Sequence, residues 1–441
     1  MLNISRRKLL RTIGSAMAAS SISHPVRVWG AGSDLYDGDL LVTLQLRGGC
    51  DITCLCDPKM NTAGEPIINH WAEADETRQK GRLLYAPFAQ NERLFNRFYR
   101  DMLVVNGVDT QTNSHQTGEL FNWTGRNSEG MPSLSALFAS QRAGDQPLAY
   151  SVFQSFSRTA GIVRFNQFNG LGAMSTITEP HRDDNQNLMR PPQELEAARI
   201  SLENSLDNME ASGTLTPRQM RSLNNYREAR GASSKLLHLN DILPPRDEFE
   251  QGEQFTVGDQ MFGSNLKEQM QGALLIFESG LGAAADLSLG GFDSHDNHDA
   301  IHEALLSHIA DALDYFWDEA DARGLANRIT MVIASDFGRT NMYNDGNGKD
   351  HWNTSSFMII KRNAEWGNRT VGYSDNLHFA KGIHPKTLQP DDGGVILTPG
   401  HVHQALRTEL GLQSYASRLG LTLRDVEDVA IFDSAKRTPQ G

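Results

Sequence analysis

Asp39-Leu40-Leu41-Val42-Thr43-Leu44-Gln45-Leu46 runs directly into Arg47-Gly48-Gly49-Cys50-Asp51. The first eight residues are mostly apolar and end at two glycines. That is the pattern of a strand buried on both faces that stops in a sharp turn, with an acidic residue at its tip. Four further runs read the same way: Met102–Val108, Ala283–Leu289, Arg328–Ser335 and Ser355–Ile360. Helical segments separate the last three. From Ala300 to Arg323, Ile301, Ala304, Leu305, Ile309, Ala312, Leu313 and Phe316 recur at helical spacing. Strands alternating with helices predict an α/β fold, a central and mostly parallel sheet flanked by helices.

The middle of the chain has a different texture. Residues 185–256 are rich in Glu, Gln, Asn, Arg and Leu and predict two amphipathic helices, Pro192–Ser212 and Pro217–Asn240, separated by Gly213-Thr214. Each begins with proline, which suits a first helical turn where the missing N–H costs nothing. An acidic, proline-containing loop follows, Leu243–Glu253. The segment reads as a helical insertion within one α/β domain spanning 32–441, either a lid or a decoration.

The start of the chain predicts its export. Ser5-Arg6-Arg7-Lys8-Leu9-Leu10-Arg11 has the form of a twin-arginine signal, and Thr12–Ile22 is too short and too rich in small residues to span a bilayer. Ala16-Met17-Ala18 offers a cleavage site. Residues 1–31 thus read as a signal peptide and linker, the Tat translocase as a transient partner, and the mature protein as periplasmic or extracellular. No later stretch reaches transmembrane length.

Composition narrows the function. The 441 residues carry a formal charge of −13, which argues against nucleic acid and against anionic membrane surfaces. Three cysteines, Cys50, Cys54 and Cys56, cannot form a disulfide framework and leave one thiol over if two pair.

Four polar clusters sit at the ends of predicted strands, where ligands bind in open α/β sheets. Arg47-Gly48-Gly49-Cys50-Asp51 is the first. The second is Asn113-Ser114-His115-Gln116-Thr117-Gly118-Glu119, in which Ser114 is either a nucleophile or a helix cap. The third, Gly290-Gly291-Phe292-Asp293-Ser294-His295-Asp296-Asn297-His298-Asp299, interleaves carboxylates and imidazoles suited to zinc, manganese or iron. Here His298 and His302 are four apart and share a helix face if the helix starts before them. The fourth runs from Ser335-Asp336-Phe337-Gly338-Arg339-Thr340 through a glycine-rich loop to Asp350-His351. Arg47 and Arg339 suit a phosphate or sulfate ester, or a structural salt bridge. His378 and His384 in a late loop, and His401 and His403 near a helix start, are weaker candidates.

These motifs together resemble the Tat-exported domain of unknown function 1501 family, grouped with the alkaline phosphatase and sulfatase superfamily. The resemblance runs from about Leu40 to Gly411. It implies an alkaline-phosphatase-like fold and metal ions held by carboxylates and histidines, with a nucleophile attacking phosphorus or sulfur. Asp51 then matches the first-strand metal ligand, and Ser114 occupies a nucleophile position. Asp293 with His295 or His298 resembles the ligand pair of one metal site, Ser335-Asp336-Phe337-Gly338 resembles Ser-Asp-His-Gly, and His351 is a further histidine ligand. Phe337 departs from that pattern, standing where the motif has a histidine. Cys56-Asp57-Pro58-Lys59-Met60 is similar to the sulfatase Cys-x-Pro-x-Arg signature but ends in Met. The resemblance implies a hydrolase of phosphate or sulfate esters using one or two divalent ions (zinc, manganese, iron or calcium), with a small-molecule or polymer ester as substrate. The alternative is a non-catalytic binding or assembly protein with a degenerate site.

Overall fold

The computed structural model describes residues 35–178, 181–182, 187–257 and 260–433. The twin-arginine motif and its cleavage site lie outside the described residues. Strand β1, Leu40–Leu46, is buried at all seven positions, as its unbroken apolar run requires. It lies between two parallel neighbours, β5 (Ala284–Leu289) and β6 (Ile329–Ser335). Leu46 pairs with Leu289 on one side and with Ser335 on the other. The three strands therefore end level, and the three polar segments that follow them emerge side by side at one edge.

Five more strands complete an eight-stranded sheet: β2 (Met102–Asp109), β3 (Tyr150–Phe153), β4 (Asn166–Phe168), β7 (Thr354–Lys361) and β8 (Arg369–Val371). The order is β8-β2-β7-β6-β1-β5-β3-β4. All pairings are parallel except those of β7, which runs antiparallel to β6 and β2. That reversal has a functional consequence. The start of β7, Thr354, pairs with Asp109 at the end of β2, so residues just before β7 reach the same edge as residues just after β1, β2, β5 and β6.

Helices cover the sheet. One apolar core joins Leu41, Val105, Val332 and Phe357 of the sheet to Leu134, Leu137 and Phe138, and to Val402 and Leu406. Burial of each large apolar side chain contributes roughly 1.5–3 kcal/mol. The helices around the sheet include α1 (Asn91–Phe98), α2 (His115–Thr124), α3 (Leu134–Arg142), α6 (Leu266–Glu278), α7 (His298–Ala322) and α8 (Pro399–Glu409). The α3 helix packs on β1, β3 and β5, whereas α6 packs on β5 and α7. The core also buries a carboxyl group. Asp286 in β5 accepts from Thr43 Oγ1 at 2.7 Å and from the Tyr150 hydroxyl, and burial pushes its pKa up to about 6.

The chain divides into two compact units. The larger holds the sheet and every strand-end cluster. The smaller comprises Leu35, residues 145–147 and the described part of 175–243, including α4 (Pro192–Ala211) and α5 (Pro217–Ile242). A capping box of Thr216 and Gln219 starts α5. Arg227 ties it to α4 through Asp207 at 2.7 Å and Glu210 at 2.5 Å. The acidic loop expected before residue 253 contains a short 3-10 turn, Arg246–Glu248. It leads into a hairpin, Glu253–Val257 with Gln260–Ser264, which the sequence reading did not anticipate. Among the described residues no helix is long and apolar enough to cross a membrane.

Candidate metal centre

The turn after β1 is built around Asp336. Gly48 and Gly49 adopt φ values of 108° and 79°, which L side chains rarely adopt. A Cβ at Gly48 would lie 2.6 Å from the Asp293 nitrogen, and one at Gly49 would lie 2.7 Å from the Phe337 ring. In this conformation both N–H groups donate to Asp336 Oδ1, at 3.1 and 2.7 Å. The other carboxylate oxygen, Oδ2, accepts from His115 Nδ1 at 2.5 Å. That bond, opposed by burial, raises the His115 pKa.

Three imidazoles then meet at one carboxylate. Asp293 Oδ1 lies 3.0 Å from His295 Nε2 and 3.1 Å from His351 Nε2, and Asp293 Oδ2 lies 3.4 Å from His115 Nε2. The opposite ring nitrogens are all committed. His351 Nδ1 donates to the Asn113 carbonyl at 2.8 Å, His295 Nδ1 to Asp350 at 2.7 Å, and His115 Nδ1 to Asp336. In the neutral rings these bonds place each proton on Nδ1 and leave the Nε2 lone pairs facing Asp293. His295 Nε2 and His351 Nε2 are 3.1 Å apart. Lone pairs that close to one another and to a carboxylate call for a cation, and oxygen partners on the far nitrogens are the usual support of metal-bound histidine. His115, Asp293 and His351 place ligand atoms within 4.8 Å of one another. The donor set therefore fits a divalent ion.

Arg339 and Phe337 form the floor. The Arg339 side chain is fully buried; Nε donates to the Gly49 carbonyl at 2.9 Å, Nη1 to the Lys349 carbonyl at 2.8 Å, and Nη2 to Asp293 at 2.6 Å and to the Gly48 carbonyl. Burial alone would raise the Asp293 pKa, but the hydrogen bond and charge of Arg339 outweigh it and hold the carboxyl down at about 2. Phe337 is buried, its ring centroid 4.7 Å from that of His115 and 4.5 Å from that of His351.

Asp51 and His298 make their contacts elsewhere, in a fully buried cluster with Lys349, His302, Ser294, Cys54 and Asn69. Lys349 Nζ donates to Asp51 Oδ2 at 2.6 Å and to Asn69 Oδ1 at 3.2 Å. Against the effect of burial, Lys349 and then His298 hold the Asp51 pKa well below its ordinary value. Burial and the neighbouring His298 push His302 down.

Ser114 is the exposed N-cap residue of α2, and its side chain makes no capping bond. Arg47 pairs with Glu119 at 2.6 Å on the surface. Of the late histidines, His384 accepts from the backbone of Lys386 and Thr387, and His401 bonds Thr398. His403 donates to the Asn122 carbonyl, while His378 is buried with neither ring nitrogen paired. All three cysteines are free and buried, and burial pushes the Cys56 thiol up to about 12. A cavity of about 710 Å³ lined by Asp57, Lys59, Arg82, Asn106 and Tyr373, among others, includes none of the centre's residues. The sequence reading passed over two members of these clusters, His115 and Lys349. His115 adjoins Ser114, and Lys349 adjoins Asp350-His351; their position inside motifs already singled out was the available signal.

No curated protein matches the chain. Solved structures resemble it at low identity. One, from work on glycosaminoglycan metabolism by Bacteroides thetaiotaomicron, is 8% identical, with 92% of this chain and 79% of that one covered and a TM-score of 0.39. The phosphonate monoester hydrolase of Agrobacterium radiobacter is 11% identical, covering 88% and 79%, with a TM-score of 0.34. The PsFucS1 sulfatase from a Pseudoalteromonas species is 9% identical, covering 77% and 66%, with a TM-score of 0.31. Similarity this low fixes neither activity nor substrate. The sequence match is firmer: over residues 40–389 the chain belongs to the family described as Protein of unknown function (DUF1501).

Proposed function

We propose that this protein is an exported, metal-dependent hydrolase of phosphate or sulfate esters, with an alkaline-phosphatase-like fold and site. The observation that carries this reading is the convergence of His115, His295 and His351 Nε2 on the Asp293 carboxylate. A divalent ion bound by these groups would supply Lewis-acid polarisation of an ester oxygen and lower the pKa of an adjacent hydroxyl or water.

The chain's own residues do the rest. Asp336, Asp350 and the Asn113 carbonyl hold the imidazoles in the tautomer that presents Nε2. Ser114, one residue before His115, carries an uncapped and exposed hydroxyl and is the proposed nucleophile. Arg339 is a positioning residue, because its three nitrogens are already engaged below the centre. Arg47, near the same turn and with 46% of its side chain exposed, would exchange Glu119 for an anionic substrate. The twin-arginine signal supports transport by the Tat translocase to the periplasm or beyond.

The test is metal analysis of the purified protein beside Asp293→Ala, followed by a screen of phosphate and sulfate esters. Zinc, manganese, iron or calcium in the wild type, absent from the variant, with turnover of an ester, is expected. No bound metal after incubation with excess ions would sink the hydrolase and leave a binding protein on this fold.

A further inference from the structure

The superfamily resemblance makes Asp51 a metal ligand and allows one ion or two, and on donor chemistry alone a second candidate site exists there: ligand atoms of Asp51, Cys54 and His298 lie within 4.8 Å of one another. We propose instead that the Lys349 ammonium fills this second cation position permanently, so that the protein takes one metal ion, at the Asp293 centre. This inference rests on the metal-centre reading above.

Two observations carry it. First, Lys349 Nζ sits 2.6 Å from Asp51 Oδ2, and neither side chain is exposed. It also donates to Asn69 Oδ1 and lies 4.9 Å from the Tyr343 ring centroid. A metal on the same oxygen would bind at about 2 Å, in contact with an ammonium that has no solvent to retreat into. Second, the hydrogen bonds leave His298 no lone pair to offer. The Asp51 N–H donates to His302 Nε2 at 3.0 Å, so the His302 proton is on Nδ1. His302 Nδ1 donates to Ser294 Oγ at 3.3 Å, and Ser294 donates to His298 Nδ1 at 2.8 Å. His298 Nε2 therefore carries its proton and donates to Asp51 Oδ2 at 3.0 Å. The circuit starts and ends on Asp51 with every donor and acceptor consistent.

The same circuit positions the metal loop. Ser294 lies between Asp293 and His295, and Lys349 lies two residues before His351. An internal ammonium thus anchors from below both strips that deliver ligands, a task an exchangeable ion would perform only while bound.

The test is cobalt(II) loading of the full mature chain, counted by native mass spectrometry and read by absorption. The wild type should take one equivalent without a thiolate-to-cobalt charge-transfer band. Lys349→Ala should take a second equivalent and gain that band, which Cys54→Ala should then remove. Two equivalents in the wild type, or a folded Lys349→Ala that stays at one, would overturn the inference. Should Lys349→Ala not fold, Asp51→Asn with Lys349→Met removes both charges together. Binding equal to wild type supports the inference, and loss of one equivalent refutes it. Zero equivalents in the wild type would instead defeat the hydrolase reading, whereas two ions with turnover intact would defeat only the single-ion inference.

Discussion

His115 Nδ1 lies 2.5 Å from Asp336 Oδ2 across 221 residues of sequence, and that bond turns the ring so that Nε2 faces Asp293. Phe337, beside Asp336, packs against the same ring in a tilted arrangement, 4.7 Å between centroids. At this site α2 supplies an imidazole beside Phe337.

Metal affinity should depend on that bond. Asp336→Asn removes a negative acceptor behind His115 and is expected to weaken metal binding about 10–100-fold, with His115→Ala weaker still. Competition against a chelator of known affinity measures both. Unchanged affinity in His115→Ala would remove this histidine from the centre.

Ser114 separates stability from chemistry. Its side chain makes no capping bond, so Ser114→Ala should change unfolding free energy by less than about 0.5 kcal/mol. Turnover of the best ester should fall at least about 100-fold if its hydroxyl is the nucleophile. A variant that retains wild-type turnover would shift that role to water.

The two arginines should behave oppositely. Arg339 is buried and hydrogen-bonded to three backbone carbonyls and Asp293. Arg339→Met leaves those acceptors unpaired and should cost about 3–5 kcal/mol. Arg47 pairs with Glu119 in the solvent-exposed rim, and Arg47→Ala should cost about 0–1 kcal/mol. Urea unfolding of the two variants compares them directly.

Asp286 imposes a pH dependence remote from the centre. Its folded pKa is raised from the ordinary 3.8 to about 6, so between those values the native state holds a proton that the unfolded chain has released. Stability from this group is therefore fully present below pH 3.8 and lost as pH rises through about 6. The loss amounts to roughly 3 kcal/mol. Asp286→Asn should flatten that part of the stability profile, measured by denaturant melts from pH 4 to 7. An unchanged slope would contradict the assignment.

The strand positions were legible because each buried strand is an apolar run of the right length with turn residues after it. Leu40–Leu46, Met102–Asp109, Ala284–Leu289 and Ile329–Ser335 all carry that mark, and so does α7 with its helical period. Tyr150–Phe153 and Asn166–Phe168 were not visible, being too short for periodicity to distinguish from loop. The direction of Thr354–Lys361 was equally hidden, since apolar residues read the same in either orientation.

By itself the sequence determined the alternation of strands and helices and the placing of Asp51, Asp293, Asp336 and His351 beside strand ends, because these follow from local pattern. Which of those residues meet was decided only by the tertiary structure. Parallel pairing of β1 with β5 and β6 brings their ends level, and the reversal of β7 delivers His351 to the same edge. The charge of Lys349 decides the fate of Asp51: at 2.6 Å in a buried setting, an ammonium and a carboxylate satisfy each other. No local pattern encodes that pairing, because its two members are 298 residues apart.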